Sequence, residues 1–112
     1  MTKSERQVME LLWRSDHPLS CTEIIELSED KTWKDSYVHT LIKTLMKKGI
    51  VKIESFELIS RSYARKFAPA MSKSEYAAKR LIEFLTPAEA RIAVEIIEQQ
   101  VFSPNELQYE RK

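Results

Sequence analysis

The stretch TWKDSYVHTLIKTLMKKGIVKI, residues 32–53, decides the fold. Successive residues of a helix are rotated by about 100°, so Val38, Leu41, Ile42 and Leu45 point one way while Ser36, Thr40, Lys43 and Lys47 share the other face, with His39 at the border. The inward set is aliphatic and predicts packing against other helices. The outward set is hydroxyl and ammonium, and Tyr37 stands near its N-terminal end. Gly49, the only glycine of the chain, stands where a helix stops. After it the period changes from 3.6 to 2: Ile50, Val51 and Ile53 read as a strand.

Working outward, Thr2 and Glu5 form a T-x-x-E capping box ahead of Val8, Leu11 and Leu12, which predicts a helix over residues 3–14 flanked by Met9 and Trp13. His17-Pro18 breaks it, and Leu19 falls in a short extended segment. Ser20 and Glu23 repeat the box ahead of Ile24, Ile25 and Leu27, which gives a short second helix; residues 28–31 are a loop. Residues 63–69 read as a returning strand with Tyr63, Arg65 and Phe67 on one side and Ala64, Lys66 and Ala68 on the other. Three helices followed by a hairpin is the order of a winged helix-turn-helix, in which the helix before the wing enters the DNA major groove. The expected class is therefore mainly α with a small β-hairpin, a winged helix-turn-helix domain over residues 1–70 followed by dimerisation helices over 71–112.

The net charge of +1 conceals a division. Residues 1–30 hold three cations against seven acids, residues 31–66 nine against three, and residues 67–112 six against seven. A local excess of +6 is the footprint expected for a polyanion, although solvated faces also vary by chance. Hydroxyls and imidazole on the outer face of the third helix can hydrogen-bond base edges, and lysines neutralise phosphates. Ser36, Tyr37, His39, Thr40, Lys43 and Lys47 are accordingly the candidate DNA contacts of that helix. Arg61, Ser62 and Arg65 on the returning strand are candidate phosphate ligands. Segment 54–60 reads as a long wing loop without glycine, and its Glu54 and Glu57 count against the wing tip as a DNA contact.

Other classes find little support. The apolar runs are far shorter than the roughly 20 residues that cross a bilayer, and the N-terminus is charged where a signal peptide would be apolar, so a soluble, cytoplasmic protein without a membrane partner is expected. Cys21 is the only cysteine, which rules out an intrachain disulfide and leaves no zinc-ligand spacing. A chain with one glycine has no glycine-rich phosphate loop, and His17, His39 and Cys21 assemble no nucleophile and base. Neither catalysis, metal nor cofactor is expected.

The tail is organised as well. Ser72 or Ser74 starts a helix carrying Ala77, Ala78, Leu81, Ile82 and Leu85. Thr86-Pro87-Ala88-Glu89 is a capping box with proline at the first helical position, ahead of Ile92, Ala93, Ile96 and Ile97. The pattern recurs at Ser103-Pro104-Asn105-Glu106. Stripes at Leu81, Ile82, Leu85, Ile92, Ile96 and Ile97 exceed what so short a segment can bury alone, so they cover symmetry mates across a two-fold axis or fold back on the preceding domain; the dimer is the expected arrangement.

Residues 2–13 (TKSERQVMELLW), 20–27 (SCTEIIEL), Trp33, and 38–49 (VHTLIKTLMKKG), with Phe67-Ala68-Pro69 at the end of the wing, resemble the penicillinase repressor family of bacterial winged-helix regulators. The resemblance is specific over about residues 2–53 and weaker beyond Pro69. It implies a homodimeric repressor that binds double-stranded operator DNA of dyad symmetry through its N-terminal domain and dimerises through its C-terminal helices. The chain departs from the family pattern at Lys34 and Tyr37, where the family commonly has a small hydroxyl residue and threonine, and at Thr44, where it commonly has arginine; a different base preference follows. Relatives are released from DNA by cleavage of an Asn-Phe bond after a membrane sensor detects antibiotic, and the corresponding place here holds Glu95-Ile96. The Cys-x-Cys pairs of copper-responsive relatives are absent, so copper sensing by that route is excluded. The competing reading is a winged-helix adaptor that binds protein, against which stands the charge excess of residues 31–66 with Lys43, Lys47 and Lys48.

Overall fold

The computed structural model describes residues 1–102, and helices dominate it, with one antiparallel hairpin. Helix α1 (Lys3–Arg14) begins where Thr2 Oγ1 accepts the Glu5 amide and Glu5 Oε1 accepts the Thr2 amide at 2.8 Å, a reciprocal cap that fixes the first turn. Helix α2 (Cys21–Leu27) begins the same way through Ser20 and Glu23. A single 3-10 turn at Asp35–Tyr37 leads into α3 (Val38–Lys47), so Ser36 and Tyr37 precede the α-helix instead of lying on its first turn. Val8, Met9 and Leu12 of α1, Leu19, Ile24 of α2, and Val38 and Leu45 of α3 are buried together with Phe67. Buried and exposed positions of α3 follow the periodicity expected of residues 38–47, with Val38, Leu41, Ile42 and Leu45 inside.

Helix α3 ends in a Schellman motif. Gly49 takes φ +78°, its amide donates to the Met46 carbonyl at 3.0 Å, and the Ile50 amide reaches back to Leu45 at 3.1 Å. This turn aims the chain into β1 (Val51–Ile59), which pairs with β2 (Ser62–Pro69). Leu19 and Phe67 exchange both backbone hydrogen bonds, at 2.9 and 2.7 Å, so β2 is paired on both sides and the hairpin is joined to the segment before α2.

The expectation of a wing loop over 54–60 is corrected. The strand runs through this segment to Ile59, and the hairpin turns at Ser60-Arg61, with Ser60 at φ +56°. The register shifts between Ile53, opposite Phe67, and Ser55, opposite Lys66, which leaves Glu54 as a bulge residue. The bulge inverts the alternation: beyond it Phe56 and Leu58 face the same way as Arg65 and Tyr63. A strand of strong β-formers continues there on the other phase.

The chain divides into two compact units, Met1–Lys73 and Ser74–Lys112. In the first, the Trp13 indole N–H donates to the Met71 carbonyl at 3.0 Å and Lys73 pairs with Glu10 at 2.8 Å, which fastens the chain after the wing to α1. In the second, α4 (Lys73–Phe84) ends before Thr86, which with Glu89 caps α5 (Pro87–Val101). Ile82, Ile92, Ile96 and Ile97 are exposed and Leu85 is half-buried, while Leu81 lies at the margin of exposure. Glu95 and Ile96 lie within α5. The capping pattern at residues 103–106 lies outside the described residues. No described helix is long and apolar enough to cross a membrane.

Candidate nucleic-acid interface

All nine candidate DNA contacts are solvent-exposed: Ser36 and Tyr37 in the 3-10 turn, His39, Thr40, Lys43 and Lys47 on α3, and Arg61, Ser62 and Arg65 on the hairpin. Their placement follows from the core. With Val38, Leu41, Ile42 and Leu45 turned inward, the positions between them must face water. His39 Nδ1 lies 3.6 Å from Cys21 Sγ at the start of α2, which turns the imidazole toward the helix-turn-helix corner. Burial pushes the Cys21 thiol up, against a smaller opposing effect of Arg65, so it remains protonated at neutral pH. Cys21, His39, Ile42, Lys43, Met46 and Arg65 line one cleft of about 290 Å³, where the reading helix and the wing strand converge.

Ion pairing sorts the basic segment. Lys31 pairs with Asp35 at 2.6 Å, Lys52 with Glu54 at 3.3 Å, and Lys48 with the buried Glu5 at 2.9 Å. Lys66, 8% exposed, is held by Glu23 and by Glu57, the latter at 2.8 Å. Lys48 was expected to belong to the charge that discriminates DNA from protein; it instead ties the α1 cap to the end of α3, its ammonium donating to both oxygens of the Glu5 carboxylate. Burial raises the Glu5 pKa, but the Thr2 hydrogen bonds and Lys48 outweigh it and hold the carboxyl below its usual range. The Lys66 ammonium holds Glu23 below its usual range, and Glu23 followed by Glu57 raises Lys66 above its own.

Among the described residues, then, the acids of segment 31–66 (Asp35, Glu54 and Glu57) all have lysine partners, and Lys34, Lys43, Lys47, Arg61 and Arg65 have no carboxylate partner. Arg65 instead lies over the Phe67 ring, 5.5 Å from its centre. Lys34, exposed just ahead of the 3-10 turn, belongs with this set and was noted from sequence only as a departure from the family pattern. It is left without a carboxylate because the neighbouring Asp35 is taken by Lys31, a pairing that charge counting does not show. No three His, Cys, Asp or Glu side chains converge on a metal-sized site among the described residues.

A three-helix unit whose third helix runs into a hairpin wing is a winged helix. The sequence model of the penicillinase repressor family matches residues 1–109, and the chain belongs to that family of DNA-binding transcriptional repressors. No curated protein matches the chain.

Proposed function

We propose that the chain acts as a cytoplasmic homodimer that represses transcription by occupying a dyad-symmetric operator, each protomer laying α3 in the major groove of one half-site. His39, Thr40 and Lys43 read bases, Ser36 and Tyr37 contact the sugar-phosphate edge at the start of the helix, and Lys47, Arg61, Ser62 and Arg65 hold phosphates. The apolar side chains of α4 and α5, Leu81, Ile82, Ile92, Ile96 and Ile97, together with Leu85 between the two helices, meet those of the second copy. The observation that carries the reading is the surplus left after ion pairing: five exposed cations on the third-helix approach, α3 and the wing, and no unpaired acid among the described residues of the same segment. An adaptor for a neutral protein surface has no use for such a distribution. Selection from random duplex DNA by the full-length protein should recover an inverted repeat with half-site centres separated by whole helical turns, and sedimentation at micromolar concentration should give a dimer. Recovery of no common sequence, together with a monomeric mass, would return the chain to the adaptor reading.

A further inference from the structure

Away from α3 and the hairpin, the solvent side of α1 borders a second cleft, of about 470 Å³, within the size range of small-molecule sites. Its other wall is the loop that joins α2 to the 3-10 turn. Lys3, Arg6, Glu10 and Arg14 recur at helical spacing on one side of α1, while Ser28, Glu29, Asp30 and Lys31 come from the loop. The Thr32 amide and hydroxyl donate to Gln7 Oε1 at 3.4 and 3.3 Å, which ties the loop to the helix. The lining holds one apolar side chain, Leu11, so the cleft suits a polar ligand.

Ion pairing decides which charges are left to meet a ligand. Glu10 is taken by Lys73 and Lys31 by Asp35, partners that lie outside the lining. Lys3, Arg6 and Arg14 have no carboxylate partner among the described residues, and Glu29 and Asp30 have no cationic one. The unpaired cations all stand on the helix wall and the unpaired acids on the loop wall, so opposite charges line one cleft without meeting. A polyanion is repelled by the two acids and a simple cation by the three bases. A molecule that carries both signs satisfies both walls through charge-assisted hydrogen bonds.

We propose that this cleft binds a small amphoteric molecule of amino-acid chemistry, its carboxylates on Lys3, Arg6 and Arg14 and its ammonium on Glu29 and Asp30, and that occupancy lowers operator affinity. The route to α3 is short. Lys31 borders the cleft, lies 5.5 Å from the centre of the Trp33 ring, and pairs at 2.6 Å with Asp35, the first residue of the 3-10 turn ahead of α3. A carboxylate in the cleft competes with Asp35 for that ammonium and so loosens the approach to the helix. The coupling is reciprocal, so operator DNA weakens the ligand by the same factor. The site stands on α1 and the loop alone; its effect on repression rests on α3 reading the half-site.

The test titrates the isotope-labelled full-length protein with glutamate and, separately, with glutarate, which keeps both carboxylates and lacks the ammonium. Glutamate should shift the amide resonances of Arg6, Arg14, Glu29 and Asp30 saturably, with a Kd of about 1 mM or tighter and about tenfold below that of glutarate. Arg6→Gln/Arg14→Gln should keep the melting temperature and weaken glutamate about 10- to 100-fold. Glu29→Gln/Asp30→Asn should bring glutamate to the glutarate value, and asparagine tolerates the φ of +51° at position 30. On the duplex that the protein selects from a random library, saturating glutamate should lower affinity about fivefold or more relative to glutarate at equal ionic strength. Equal Kd for the two probes, or shifts that do not saturate, would overturn the site, and unchanged operator affinity at saturation would overturn its coupling to α3. Failure of the parent to select any duplex would remove the α3 reading and leave the site to stand or fall on the resonance shifts alone.

Discussion

Thr40 and Lys47 lie about two turns apart on the wet side of α3, and their chemistry separates their roles. A threonine hydroxyl contributes through a specific base edge, whereas a lysine at the helix end contributes through phosphate charge. Thr40→Ala should therefore weaken operator binding by about 1–3 kcal/mol and leave random DNA unaffected, while Lys47→Ala should weaken both alike and reduce the salt slope by about one unit. Parallel titrations on the two DNAs decide between the roles. Lys66 works at the same scale on stability. Glu23 titrates below its unfolded value, so its contribution is complete above the ordinary carboxylate range and is lost as pH falls through the lowered value. Lys66 titrates above its unfolded value, so its contribution is complete below the ordinary lysine range and is lost only as pH rises through the raised one. The urea midpoint should consequently be flat across neutral pH and fall on acidification. Lys66→Met should make that acid fall shallower and cost about 1 kcal/mol at neutral pH, a small figure because Glu23 and Glu57 keep 33% and 56% of their side-chain surface in water. An acid profile identical to the parent's would deny the clamp any role.

Among the elements, α3 depends on how it stops. Open space surrounds the position of a Cβ at Gly49, so Gly49→Ala should meet no clash and suffer only from φ +78°. The expected loss is about 1–2 kcal/mol, with Gly49→Asn costing less, readable as shifts in thermal midpoint. Such local chemistry is also why the helices were legible in the sequence. Thr2 with Glu5 and Ser20 with Glu23 reach three residues along the chain, and the phase of α3 is set by its own Val38, Leu41, Ile42 and Leu45. The wing was not legible in the same way, because the bulge at Glu54 shifts a period-2 pattern halfway through and Phe56 and Leu58 then seem to belong to no strand. Nor could charge counting show that Lys48 meets Glu5 or that Lys66 meets Glu23, since each pair is 43 residues apart and exists only once the helices and the hairpin have packed.

For the molecule as a whole, the useful cut falls after Lys73. Residues 71–73 supply the carbonyl that accepts the Trp13 indole and the ammonium that pairs with Glu10. Removing residues 74–112 should leave a folded monomer that binds the selected operator 10²–10⁴-fold more weakly, in line with the loss of linked half-site contacts. Removing residues 71–112 should lower the melting temperature as well. A 1–73 fragment as tight-binding as the parent would refute dimeric reading. The two hydrogen bonds between Leu19 and Phe67 carry a different consequence, for the order of events on the ribosome. Position 19 emerges early and position 67 late, so the segment before α2 has no strand to join until the hairpin has been synthesised. A nascent chain that has exposed α3 but not Phe67 lacks the partner that seats Leu19. Completion of the backbone pairing around α2 is thereby coupled to synthesis of the wing.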